Sequence, residues 1–319
     1  MKVLNYKGVL YLKKYKGYIY IFLTALCFST QEITGKYLAL DHLNAYQINS
    51  ITFLIGAIIL LPMALKDIKK NHLKLTAKDW GYLLILGLVQ VTIGMSLLQE
   101  ALLFTTPAIV AIIVCSNAMI TIPIARIVLK EKMDKKAWIP IIMAAIGIVI
   151  IFNPLSGGAS GKGLSDHIIG VTLALLGAIS ISFFNVLATK TINKYGKAVT
   201  NSFSFFLGVA VMFICMLVLH IPIIKGIHLH DLALLLYVGI VVKGLGFLFF
   251  VSAMKETSAI TATSVFYIKP ILVPILMFLI MGQVIKPNVL LGTVIIVCSS
   301  LILYKIKKSN AAHNLSPSH

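Results

Sequence analysis

The apolar residues of this 319-residue chain fall into successive runs of about 20, and that pattern leaves few folds open. A helix rises 1.5 Å per residue, so about 20 apolar residues match the ~30 Å hydrocarbon core of a bilayer. Backbone polar groups in lipid must bond within their own segment, which makes each run a helix. Runs bounded by charge or by Pro/Gly clusters lie at 18–38, 45–65, 79–99, 106–126, 137–152, 168–189, 199–219, 231–252, 259–282 and 287–304. They predict an all-α integral membrane protein with ten transmembrane helices. The composition agrees: 12% of residues are charged, against about 25% in soluble proteins.

A formal net charge of +18 could suggest a nucleic-acid partner, but the basic residues sit in short connections between apolar runs. With the N-terminus inside, alternate connections and the two tails carry 22 of the 28 Lys and Arg residues, and the outer connections carry three (Lys162, Lys225, Lys286). Such a bias orients membrane proteins. It places both termini, residues 1–17 and 305–319, in the cytoplasm of a multi-pass plasma-membrane protein whose partner is lipid, not nucleic acid. Residues 1–16 are basic like a signal peptide, but no small-residue cleavage site follows, so the first run is read as a retained helix. Cys27, Cys115, Cys215 and Cys298 each lie inside an apolar run without ligand spacing and read as packing residues.

A shift of 152 residues aligns the two halves. Asn49-Ser50-Ile51-Thr52-Phe53-Leu54-Ile55-Gly56 meets Asn201-Ser202-Phe203-Ser204-Phe205-Phe206-Leu207-Gly208, Asp79 meets Asp231, Gly87 meets Gly239, and Glu131 falls opposite Gln283. A shift of 153 brings Gly17 to Gly170 and Glu32 to Asn185. Residues 18–152 and 168–304 are thus two five-helix repeats joined by an external linker, 153–167. Five is odd, so the second repeat enters the membrane inverted. Inverted repeats build many secondary transporters, with the substrate near the midplane and the halves rocking around it.

At these residues the chain resembles the EamA family of the drug/metabolite transporter superfamily. The resemblance covers about residues 17–304. It rests on Trp80 and Gly87, Ala101 and Ala108, Pro123, Leu129-Lys130-Glu131 before Trp138, and on Gly239, Ala253, Pro270 and Gly292 in the second copy. Gln283 stands where the family commonly has Glu, and Tyr46–Ser50 lacks an Arg often seen there. The resemblance implies a cavity lined by the first, third and fourth helices of each half, with the fifth as scaffold.

Polar residues within the runs then become candidate substrate-binding groups. A Lys near the bilayer centre costs about 2.5–3.5 kcal/mol to insert, a cost met chiefly where the charge faces a cavity or a partner. Lys243, Lys269, Gln90 and Asn117 all fall about 10–12 residues into their runs, near mid-depth. Asn117 and Lys269 are repeat mates, and Gln90 maps next to Lys243. Glu32, with Asn185 opposite it, completes the set. Two readings of Glu32 stand. It pairs with Lys36 at i+4 while Lys36 snorkels outward, or it faces the cavity, as its Glu32-Ile33-Thr34-Gly35 run resembles that around the membrane Glu of small multidrug-resistance transporters. Pro107 and Pro123 flank the fourth run, and Pro270 and Pro274 lie inside the ninth, as candidate kinks or gating points. His42, His72, His167, His228 and His230 fall in connections and read as solvated; no catalytic group, metal or cofactor is called for.

The expected function is alternating-access transport of a small polar solute, an amino acid or other carboxylate-bearing metabolite, with a coupling proton or ion. The alternative is a multidrug or cationic-compound exporter with Glu32 as the proton-coupling site, and behind it a channel or membrane-embedded enzyme.

Overall fold

The computed structural model describes residues 2–41, 43–130, 135–152, 164–224, 226–257, 259–262 and 264–315. Among them the chain is helical and without strands. The first half comprises α1 Lys2–Ser29, α2 Gln31–Leu40, α3 Ala45–Lys70, a rod of α4 Ala77–Gly87, a π-helical segment Leu88–Met95 and α5 Ser96–Phe104, then α6 Pro107–Cys115, α7 Asn117–Val128 and α8 Trp138–Phe152. The second comprises α9 Leu164–Tyr195, α10 Lys197–Val218, a rod of α11 Leu229–Tyr237, a π-helical segment Val238–Gly246 and α12 Phe247–Glu256, then α13 Ala259–Ala262, α14 Val265–Met281 and α15 Pro287–Leu315.

Six described helices are long and apolar enough to cross a membrane, and α6 with α7, bent by 42°, makes a seventh if taken as one span. Shorter apolar helices cover Trp138–Ile151 and Ile268–Met281. Interruption accounts for part of the difference from ten: the first run breaks at Thr30, the fourth at Ser116 and the ninth between α13 and α14. Residues 153–163 of the expected linker, and Glu131, lie outside the described residues; Leu164–His167 already belong to α9.

Local chemistry sets the helix ends. Asn44 and Gln47 form a reciprocal capping box on α3, and Thr76 and Asp79 form one on α4. Asp231 repeats the role of Asp79, accepting the His228 backbone N–H at 2.8 Å. Pro107 opens α6, where its missing N–H has no helical partner to lose. Gly282 ends α14 at φ +64°, a left-handed conformation natural to glycine.

The prolines do not mark the breaks. Pro270 and Pro274 lie within the uninterrupted α14 and Pro123 within α7. The bend in the fourth run falls at Ser116, whose hydroxyl donates to the Ile113 carbonyl at 2.6 Å and so competes with the helical ladder.

The two halves meet along a pseudo-twofold seam. Phe53 and Phe205 are repeat mates, and their rings touch edge to face with centroids 4.8 Å apart; mates that contact each other lie on the axis relating the copies. Gly56 of α3 abuts Lys243, while its mate Gly208 of α10 abuts Val91, the mate of Lys243. Helices approach this closely because glycine removes the intervening side chain. A Cβ on Gly87 would lie 2.6 Å from the Gly208 nitrogen and closer still to the Ser204 carbonyl oxygen. Both are backbone atoms, so Gly87→Ala is expected to destabilise the fold by about 1–3 kcal/mol. Gly81→Ala, with no atom within 4 Å of the added carbon, is the control without a clash, expected to stabilise α4 by about 0.5–1 kcal/mol through helix propensity. Thermal unfolding in detergent compares them.

Candidate substrate site

Glu32 opens α2, just after the break at Thr30. Its Oε1 accepts a hydrogen bond from Lys269 Nζ on α14 at 2.6 Å, with the two side chains only 3% and 4% exposed. The pair joins the first half of the chain to the second. The other carboxylate oxygen, Oε2, is buried and has no hydrogen-bond partner among the described residues.

Lys36 departs from the paired, outward-snorkelling course: among the described residues the ion pair of Glu32 is with Lys269. Lys36 is buried, and its Nζ donates to the carbonyls of Leu102 and Thr105, the latter at 3.2 Å. The reason is local: α5 ends at Phe104, so carbonyls of its last turn lack helical partners, and the ammonium supplies them.

Lys243 sits in the second π-helical segment, 2% exposed. Its Nζ donates to Gln31 Oε1 at 3.1 Å and lies 4.1 Å from the centroid of the Phe53 ring, close enough for cation–π attraction. The alkyl stem rests on Gly56. Both halves carry their π-helical segment at matching places, 88–95 and 238–246. Such segments free backbone groups and occur often at functional sites.

These groups border a narrow pocket with a cavity volume of about 20 Å³, room for about one water. Its polar wall is Gln31 and Glu32 on α2, Asn49 and Thr52 on α3, Gln99 on α5, and Lys243; Leu98, Met95, Ile48 and Val110 are among the apolar residues that complete it. Gln99 is held by donating to the Gly35 carbonyl at 2.6 Å. Asn49 is 3% exposed, and its Nδ2 is a second buried polar atom without a partner among the described residues. Asn49 lies seven residues from Gly56, about 10 Å along the helix, so the pocket runs from the level of Lys243 toward the α2–α3 junction.

Of the residues predicted to bind substrate, Glu32 and Lys243 line this pocket, and Lys269 stands behind Glu32 as its partner. Gln90 and Asn117 are buried but do not line it. The Asn117 carbonyl accepts from Thr121 and Ser182, and Gln90 Oε1 has no partner among the described residues. Asn185 is exposed on α9 and is not among the residues lining this pocket. Asn49, Gln31 and Gln99 were missed. Asn49 heads the longest repeat match, and that was the available signal. The second helix, α3, contributes to the wall where the first, third and fourth were expected. The fifth helices, α8 and α15, contribute nothing to it and pack on each other through Gly147 and Gly292.

The model of the EamA-like transporter family matches this chain twice, over residues 15–153 and 168–305. A Clostridium kluyveri protein named as an uncharacterized transporter is 47% identical over 294 residues, covering 92% of this chain and 94% of its own length. The Bacillus subtilis transporter YyaM, also named as uncharacterized, is 23% identical over 251 residues, covering 78% of this chain and 80% of its own length. A solved crystal structure superposes with a TM-score of 0.63 at 16% identity, covering 95% of this chain and 99% of that one, so the fold is shared.

Proposed function

Because this chain belongs to the EamA-like transporter family, and is a multi-pass membrane transporter rather than an enzyme, we propose that it moves a zwitterionic carboxylate, an amino acid in the first instance, by alternating access. In this reading ten helices cross the plasma membrane as two inverted five-helix repeats, with both termini cytoplasmic and the α2–α3 junction at the outer surface. The 22-to-3 division of basic residues supports that orientation.

The observation that carries the substrate class is the pair of orphaned polar atoms at the pocket. Glu32 Oε2 is a buried acceptor and Asn49 Nδ2 a buried donor, and Lys243 lines the same pocket. Unpaired buried polar groups cost about 1–3 kcal/mol each, more for charged groups. A solute with an amine and a carboxylate meets both needs: the amine donates to Glu32 Oε2, and the carboxylate accepts from Asn49 Nδ2 and Lys243 Nζ. The Glu32–Lys269 pair then gives a coupling device. A substrate amine competes with Lys269 for Glu32, weakening a contact that holds α2 against α14.

The free oxygen of Glu32 also favours the second reading, a cation exporter coupled through that carboxylate. Lys243 weighs against it, since a cation would be buried beside an ammonium.

Counterflow in proteoliposomes across amino acids, other carboxylates and lipophilic cations tests the proposal. Amino acids are expected to exchange. Asn49→Ala is expected to weaken their apparent affinity about tenfold, the value of one charge-assisted hydrogen bond, with little change in melting temperature. Exchange of lipophilic cations alone would overturn the substrate class.

A further inference from the structure

At the α2–α3 end of the bundle, three potential metal ligands converge: Asp41, the C-cap of α2, and His230 and Asp231 in the first turn of α11. Their ligand atoms all lie within 4.8 Å of one another. His230 Nε2 stands 3.2 Å from Asp41 Oδ2 and 3.2 Å from Asp231 Oδ1. Ligands about 2.0–2.1 Å from a tetrahedral ion, the range for Zn–N and Zn–O bonds, are separated by about 3.3 Å. Two of the three edges therefore already have nearly that length.

The repeat shows why this cluster differs from an ordinary ion pair. The mate of Asp231 is Asp79, whose carboxylate is saturated: it takes the Tyr195 hydroxyl at 2.6 Å, Lys194 Nζ at 3.2 Å, and the Thr76 backbone N–H and hydroxyl. In the register that pairs Glu32 with Asn185, the mate of Lys194 is Asp41. The second repeat thus presents a lysine to the capping Asp79, whereas the first presents a carboxylate, Asp41, to the capping Asp231. Asp231 is fully buried. Its Oδ2 takes the His228 N–H, but its Oδ1 points into the cluster without a hydrogen bond among the described residues, since His230 bonds Asp41 instead. This buried acceptor faces one further carboxylate and one imidazole, with no Lys or Arg among the described residues where its mate has one.

We propose that Asp41, His230 and Asp231 form a binding site for a divalent transition-metal ion of the zinc type, with the fourth position open to water. One imidazole nitrogen and two carboxylate oxygens suit that ion. The site ties the end of α2, which carries Glu32, to the start of the rod that carries Lys243, and so clamps together the two elements that bring the pocket its carboxylate and its ammonium. Metal binding there does not depend on what the pocket transports.

The test is calorimetric titration of Zn²⁺ into the full-length protein purified without a polyhistidine tag, with Co²⁺ absorption as a second readout. One Zn²⁺ per chain is expected at micromolar concentration. His230→Gln and Asp41→Asn are each expected to weaken it at least tenfold, while His72→Gln, in a different connection, leaves it unchanged. Neither substitution removes the helix cap that Asp231 provides, so both variants are expected to fold. Absence of a micromolar site in the wild type, or a site undiminished in both variants, overturns the proposal.

Discussion

Lys269→Met is expected to destabilise the protein by about 3–5 kcal/mol, because it leaves the Glu32 carboxylate buried without its counter-charge. Both side chains are nearly inaccessible, and the 2.6 Å bond is between groups 237 residues apart in the chain. Glu32→Gln is expected to cost a similar amount by stranding the ammonium of Lys269. The double variant removes both charges at once and is expected to recover much of the loss, giving a coupling energy of about 2–3 kcal/mol in a double-mutant cycle. Thermal or denaturant unfolding in detergent measures the stabilities. Additive losses would show that the pair is not a coupled unit. Transport is expected to fail in all three variants, since each loses the carboxylate or the ammonium that competes with the substrate amine.

Lys243→Gln is expected to behave in the opposite way, with a small effect on stability and a large one on transport. Among the described residues the Lys243 side chain is held by one amide oxygen and an aromatic face, with no ion pair to a carboxylate. A glutamine amide can still donate to Gln31, and removing a desolvated charge relieves a cost. The substrate carboxylate, however, loses its positive partner. Truncating one side of a buried, hydrogen-bonded charge pair costs about 2–5 kcal/mol, which corresponds to a loss of about 300-fold in transport efficiency near the middle of that range. Uptake kinetics in proteoliposomes, beside the melting temperature, separate these effects. A large fall in stability with normal transport by the surviving protein would assign Lys243 to structure alone.

What was legible in the sequence followed from energy scales large enough to leave a pattern. Lipid demands apolar runs, and the repeat kept Asn49, Gly56 and Asp79 in register with their mates strongly enough to be read. The expense of charge in lipid marked Lys243, Lys269 and Glu32, and the structure places all three at or directly behind one pocket. Partnership was not legible. Glu32 had a lysine four residues away on its own helix, and helical spacing made Lys36 the natural partner. The choice of Lys269 instead depends on how α14 packs against α2, which no local spacing records. Depth counting missed Asn49 because it lies near the start of α3, far from the middle of its apolar run. Asn185 was chosen by symmetry, yet the copies have diverged: its helix α9 runs unbroken and exposes it, whereas α1 and α2 are interrupted beside Glu32. The π-helical segments left no sequence signal, since one additional residue in a turn requires no particular side chain.

The central claim is that the pocket between Glu32, Asn49 and Lys243 holds the carboxylate and the amine of one solute. The most direct measurement is a thermal-shift titration of amino acids, simple carboxylates and simple amines on the wild type and on Lys243→Gln, with each hit confirmed by counterflow. Stabilisation of the wild type by at least one amino acid, greater than by its separate carboxylate and amine fragments and abolished in Lys243→Gln, is the predicted result. Equal stabilisation of both proteins by the transported solute would contradict the account.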